Sequence, residues 1–208
     1  MKLTDIPVIF ICPDHNDKYR ERKLYMFDFL TKLGFKHVSM FKSGSESYPR
    51  SLNKATLDIL SCRMDDHPFL LLEDDIMLSD WAHADMEIDV PEDTDAFYLG
   101  ISRYAASHVE NHSKGWDSYE VENKSDKHVR ILNMLTTHAI LYISKRYKQA
   151  VAQQMEFAMN TSELLFNDVL ITRVQPKFNV YSYRYPFFYQ SSGFQNDPRV
   201  CGATNFRF

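Results

Sequence analysis

The sequence predicts an α/β fold, a Rossmann-like, mostly parallel sheet flanked by helices, with a small β element late in the chain. Three observations carry this. Apolar runs at 6–12 and 69–72 have the character of strands buried on both faces. Between them helical and strand patterns alternate, and a β-α-β-α-β order implies parallel strands with helices packed on them. The second run ends on Glu73-Asp74-Asp75, and ligands in such sheets bind beyond the carboxyl ends of the strands.

The elements follow in order. Residues 6–12 read as a strand, closed by the polar turn Pro13-Asp14-His15-Asn16. A helix is expected over about 17–33, with Leu24, Phe27, Leu30 and Leu33 as its apolar stripe and Gly34 as its cap. Residues 35–41 read as a second strand. Leu52, Ala55, Thr56, Ile59 and Leu60 mark a second helix that ends before Pro68. After the acidic-tipped strand come a strand over 96–101 and a polar stretch over about 102–130, holding His108, His112 and His128, read as a long loop or small hairpin. A strand at 139–143 precedes a helix through about Met159, for which Ser144 is the N-cap. Residues 178–183 and 186–189 read as short late strands.

Composition narrows the function classes. Hydrophobic residues make up 44% and charged residues 25% of 208, which describes a folded globular chain with room for a full core. The formal net charge of −4 argues against tight, nonspecific nucleic-acid binding. Cys12, Cys62 and Cys201 form neither a CxxC pair nor a zinc spacing, so reduced, structural thiols are expected. No apolar run reaches membrane-spanning length and no signal peptide opens the chain, so an intracellular, cytoplasmic protein is expected.

The acidic run carries the chemistry. Clustered carboxylates repel one another and resist desolvation, so a cation is their natural partner. The oxygens of Glu73 and Asp75 suit Mg²⁺ or Mn²⁺, which in turn suit a diphosphate. The plainer alternatives are a solvated turn or a helix N-terminus.

Six segments in order resemble a known family. They are Val8-Ile-Phe-Ile-Cys12 with the basic Tyr19-Arg-Glu-Arg-Lys23, then Leu71-Leu-Glu-Asp-Asp75, then Tyr98-Leu-Gly100. Thr137-His-Ala-Ile-Leu-Tyr-Ile-Ser144, Asn167-Asp168 and Pro186-Phe-Phe-Tyr-Gln190 complete the set. Together they are similar to the family 25, lipooligosaccharide-type glycosyltransferases of the GT-A architecture and to related viral capsid glycosyltransferase domains. The stretch 102–130 and the last dozen residues match nothing in that pattern.

The resemblance implies one glycosyltransferase domain over 1–208, with a nucleotide-sugar half to about 101 and an acceptor half from about 102. It implies a metal-dependent transfer of a hexose or deoxyhexose from a nucleotide-diphosphate sugar, UDP-linked by preference, to a glycan or glycoprotein hydroxyl. Asp75 would hold Mn²⁺ or Mg²⁺, with Glu73 at the metal or the donor ribose and Asp74 beside them. Asp168 would be the base of an inverting reaction; its plain role is the polar face of a helix begun at Thr161. Asp14, Arg20, His138 and Gln190 would touch the donor. Their plain roles are a turn, a solvated helix face shared with Arg22 and Lys23, a hydrogen-bonded core histidine and a sheet-edge bond. GT-A enzymes often add a late histidine to the metal, yet no histidine follows His138, so two alternatives stand: Gln195, Asn196 or Asp197 substitutes, or Asp75 and the donor itself hold the metal. A phage-type DNA base glycosyltransferase and a catalytically silent nucleotide-sugar-binding module remain as alternatives.

Overall fold

The computed structural model describes residues 1–13, 15–44, 46–83, 86–104, 119–191 and 203–208. Among the described residues the strands are β1 (Val8–Cys12), β2 (Val38–Lys42), β3 (Phe69–Leu72), β4 (Ile76–Leu78), β5 (Ala96–Tyr98), β6 (Glu120–Asn123), β7 (His128–Asn133), β8 (Ala139–Tyr142), β9 (Val180–Tyr183) and β10 (Phe188–Gln190). The α-helices that position them are α1 (Asp17–Lys32), α2 (Arg50–Cys62), α3 (Lys145–Asn160) and α4 (Asn167–Thr172).

Eight strands form one sheet in the order β2-β1-β3-β8-β5-β9-β7-β6, and β4 pairs with β10 in a separate ribbon. Six of the eight run in one direction, because only β8 and β7 are antiparallel to their neighbours on both sides. The expected mostly parallel α/β sheet is therefore present.

The apolar runs work as two-faced strands. Val8, Phe10 and Cys12 enter the core beside α1, whereas Ile9 and Ile11 enter the core beside α2 and α3. A period of two places alternate residues on opposite faces, so only a strand covered on both sides is apolar throughout. The chain passes from β1 through α1 to β2, then back through α2 to β3 on the other side of β1. With α1 and α2 packed on opposite faces, a crevice opens at the carboxyl ends of β1 and β3.

Local signals explain most boundaries. Asn16 accepts from the Tyr19 amide at the start of α1, and Ser144 does the same for Tyr147 at the start of α3. Gly34 ends α1 at φ 82°, a left-handed conformation that suits glycine. The stripe expected on α1 needs correction. Leu24 is 69% exposed, and the buried positions are Arg22, Met26 and Leu30. Each step of three falls about 60° short of a turn and the stripe drifts around the helix, while steps of four overshoot by only about 40°.

β4, which directly follows the acidic run, was missed in the sequence. The stretch read as a long loop or small hairpin ends in a hairpin whose second strand, β7, runs on to Asn133. Of that excursion the β6–β7 hairpin is described; His108 and His112 lie outside the described residues. Among the described residues no helix is long and apolar enough to cross a membrane.

Candidate active site

A cavity of about 940 Å³ opens at the carboxyl ends of β1, β2, β3 and β5, where the reversed β8 contributes its amino-terminal flank. Pro13, Ser43, Glu73 and Ser102 line it from the strand ends, Thr136–His138 from the approach to β8, and Asp168 from the first turn of α4. The crevice expected from strand order and the acidic strand end thus coincide.

Glu73-Asp74-Asp75 is neither a helix N-terminus nor a solvated turn. The chain leaves the large sheet at Leu72 and enters the β4–β10 ribbon at Ile76, so these residues form the step between two sheets. Asp74 and Asp75 are buried. Arg22, on the inner face of α1, bonds Asp74 at 2.9 Å and lies 3.7 Å from Asp75. Thr137 donates to Glu73 Oε1 at 2.5 Å, and Gln190 donates to Oε2 at 3.1 Å. The backbone is pinned as well: Glu73 N donates to His138 O and Ser191 N to Asp75 O.

This packing carries an electrostatic penalty. Burial holds Glu73 above the usual carboxylate range, helped by the charge of Asp75. Burial also raises Asp75, with Asp74 adding to it and Arg22 opposing. Among the described residues lining the cavity are five carboxylates, Glu46, Glu73, Asp74, Asp75 and Asp168, and one arginine, Arg22, which pairs with Asp74 and Asp75, while Arg50 lies 3.7 Å from Glu46. Such a corner gains from added positive charge.

The residues singled out from sequence are distributed as follows. Asp168 lines the cavity, half-buried, and accepts from the Val169 amide at 2.8 Å; burial raises its carboxyl. α4 starts at Asn167, not Thr161, so Asp168 occupies a first turn. Gln190 reaches Glu73, joining the ribbon to the acidic step. His138 borders the cavity but is buried: Nδ1 meets Thr136 Oγ1 at 2.8 Å and Nε2 donates to Phe188 O at 3.2 Å. A carbonyl only accepts, so the proton sits on Nε2 and both nitrogens are engaged within the protein. Burial lowers its pKa to about 4, and it is therefore neutral. The hydrogen-bonded core histidine is the role seen here. Arg20 points away from the cavity and pairs with Asp17 on the exposed side of α1, whereas Arg22 of the same run faces the carboxylates. Asp14, Gln195, Asn196 and Asp197 lie outside the described residues.

Sequence reasoning overlooked Tyr48, which lines the cavity from the loop after β2. Its phenol is held above the ordinary range by crowding and by the charges of Asp168 and Glu73. An aromatic in a polar loop beyond a parallel strand was the available signal.

No protein-family model matches the chain, and no curated protein sequence matches it. Among solved structures, it is similar to a glycosyltransferase involved in the glycosylation of the major capsid of PBCV-1. That match has 11% identity and a TM-score of 0.53, and it covers 86% of this chain and 80% of the other. The likeness is one of fold. A CTP:phosphocholine cytidylyltransferase from Streptococcus pneumoniae is also similar, at 9% identity and a TM-score of 0.44, over 90% of this chain and 93% of the other.

The residues present suit a hard divalent cation by their chemistry: carboxylate oxygens in a corner short of positive charge. Among the described residues no three His, Cys, Asp or Glu side chains form a ready ligand group.

Proposed function

We propose that this chain is a glycosyltransferase that moves a sugar from a nucleotide-diphosphate sugar, UDP-linked by preference, to a hydroxyl of a glycan or glycoprotein. One observation carries the reading: Asp168 and the Glu73–Asp75 step face the same cavity, at the crevice of a sheet whose fold is similar to that of a glycosyltransferase. The finer placement in family 25 rests on the motif resemblance.

The residues divide the work. His15 and Tyr19, with ring centroids 4.8 Å apart and planes at 50°, line the cavity beyond β1, where a base would meet the face of one ring and the edge of the other. Arg22 steadies Asp74 and Asp75, while Thr137 and Gln190 orient Glu73. Asp168 takes the proton from the acceptor hydroxyl as its oxygen bonds to the anomeric carbon, and the bond from that carbon to the diphosphate oxygen breaks on the opposite face. A base works best when its pKa approaches the working pH, and burial moves Asp168 in that direction. A divalent cation, Mn²⁺ or Mg²⁺, held by Asp75 with Glu73, would stabilise charge on the departing phosphate. The donor would lie along residues up to about 101 and the acceptor against the later part of the chain.

The test is thermal shift with UDP-, GDP- and CMP-sugars with and without Mn²⁺, joined to mass spectrometry of released nucleotide. Stabilisation and turnover by one nucleotide class are expected. No donor-dependent shift across the panel would overturn the reading.

A further inference from the structure

An exposed apolar patch adjoins the cavity near Asp168: Tyr48 lines the cavity, its ring meets that of Phe166, and Leu164 lies two residues before Phe166. Tyr48 is 66% exposed, Leu164 63% and Phe166 40%. The Tyr48 and Phe166 rings lie 5.8 Å apart at 54°. Phe166 precedes α4 by one residue, so its ring lies next to the turn that carries Asp168.

The segment bearing Leu164 and Phe166 has no regular structure, yet α2 fastens it along its length. Arg50 donates to Met159 O at 2.9 Å and to Thr161 O at 3.0 Å. Asn53 donates to Leu165 O at 2.8 Å, and Asn167 donates to Thr56 Oγ1 at 3.0 Å. Polar bonds that fasten an irregular segment while leaving its large apolar side chains outward prepare a surface in advance, which lowers the ordering cost of binding.

We propose that Tyr48 and Phe166 form the acceptor subsite and that the acceptor is a carbohydrate, a pyranose whose C–H face stacks on the Tyr48 ring, with the Phe166 ring, tilted at 54°, closing one side, and whose hydroxyl edge turns toward Asp168. This rests on the transferase reading above. The chemistry of the rim selects the occupant. A pyranose is neutral and presents one face of C–H groups bounded by hydroxyls, matching aromatic faces bounded by Ser47 and Ser51 in the cavity lining. A nucleic acid fits poorly: Glu46 and Glu163 are acidic, and Arg50, whose guanidinium is committed to two carbonyls, also lies 3.7 Å from Glu46.

Saturation-transfer NMR on the full chain, with and without UDP and Mn²⁺, tests this with methyl pyranosides of glucose, galactose, mannose, fucose and N-acetylglucosamine as probes. At least one pyranoside should bind, with its C–H face receiving most of the transfer. Tyr48→Ala and Phe166→Ala should each weaken that binding about fivefold or more, Tyr48→Phe should retain it, and Leu24→Ala on remote α1 should leave it unchanged. Nucleotide affinity by calorimetry should stay the same in all four variants. No pyranoside binding, or equal binding by the alanine variants, overturns the subsite; nucleotide binding alongside either result leaves the transferase reading standing. Rim-dependent pyranoside binding without affinity for any nucleotide would sink the transferase reading, and with it the acceptor role, leaving a plain pyranose-binding surface.

Discussion

Gly100→Ala tests whether the geometry behind the acidic step is as tight as described. A Cβ at Gly100 would lie 2.0 Å from His138 Nε2, 2.4 Å from Cδ2 and 2.6 Å from Cε1. The ring has no room to retreat, since it is buried and bonded through both nitrogens. The backbone is equally constrained: Leu99 N and Gly100 N both donate to Ala139 O, and Gly100 bridges to Phe188. Relief therefore means expelling the imidazole from its place. The two lost hydrogen bonds cost about 1 kcal/mol each, and overpacking adds about 1–3 kcal/mol. The sum is roughly 3–5 kcal/mol, which in a chain of this size lowers Tm by about 10 °C at about 2–4 °C per kcal/mol. Urea unfolding at neutral pH measures it, with Gly44→Ala as the control because nothing lies within 4 Å of a Cβ there. His138→Ala combined with Gly100→Ala should recover about 2 kcal/mol relative to the sum of the single changes, because the new methyl enters the vacated space. A Gly100→Ala cost below about 1 kcal/mol, or strict additivity in the double variant, would refute the reasoning.

The remaining predictions concern charge. Asp168→Asn should lower transfer by about 10²–10⁴-fold while nucleotide affinity, read by calorimetry, is unchanged. Because a base acts only when deprotonated and burial raises this carboxyl, wild-type kcat/KM should fall as pH drops through a value above the ordinary 3.8; an acid limb at or below 3.8 would count against Asp168. Arg22→Met should destabilise the chain by about 3–5 kcal/mol in urea titrations, since Asp74 and Asp75 lose a buried partner. Mn²⁺ should raise Tm further when UDP is present, and Asp75→Asn should abolish that added gain; an undiminished gain in the variant would remove Asp75 from the metal's contacts.

Much of the architecture was legible because its signals are local. The all-buried runs of β1, β3 and β8, the Ser144 cap and the Gly34 stop each act within a few residues, and all were read close to their observed bounds, whereas Asn16 was read only as part of a turn. The buried face of α1 was misjudged because Arg22, a charged residue, takes an inward position that its pairing with Asp74 and Asp75 makes tolerable. β4 was hidden because three residues with a mixed burial pattern carry little periodicity, and its partner β10 lies more than a hundred residues away.

Sequence alone determined that carboxylates would stand at the tip of a buried strand, since that follows from an apolar run ending on acidic residues in a parallel sheet. It did not determine what those carboxylates would meet. Glu73 is held by Thr137 and Gln190, 64 and 117 residues further on, and Asp74 by Arg22, 52 residues earlier. Strand order and the turn of α1 set these meetings, and both depend on how the whole chain closes its two cores. That is why the choice between Arg20 and Arg22, the internal bonding of His138 and the place of Tyr48 beside Asp168 belonged to the tertiary structure.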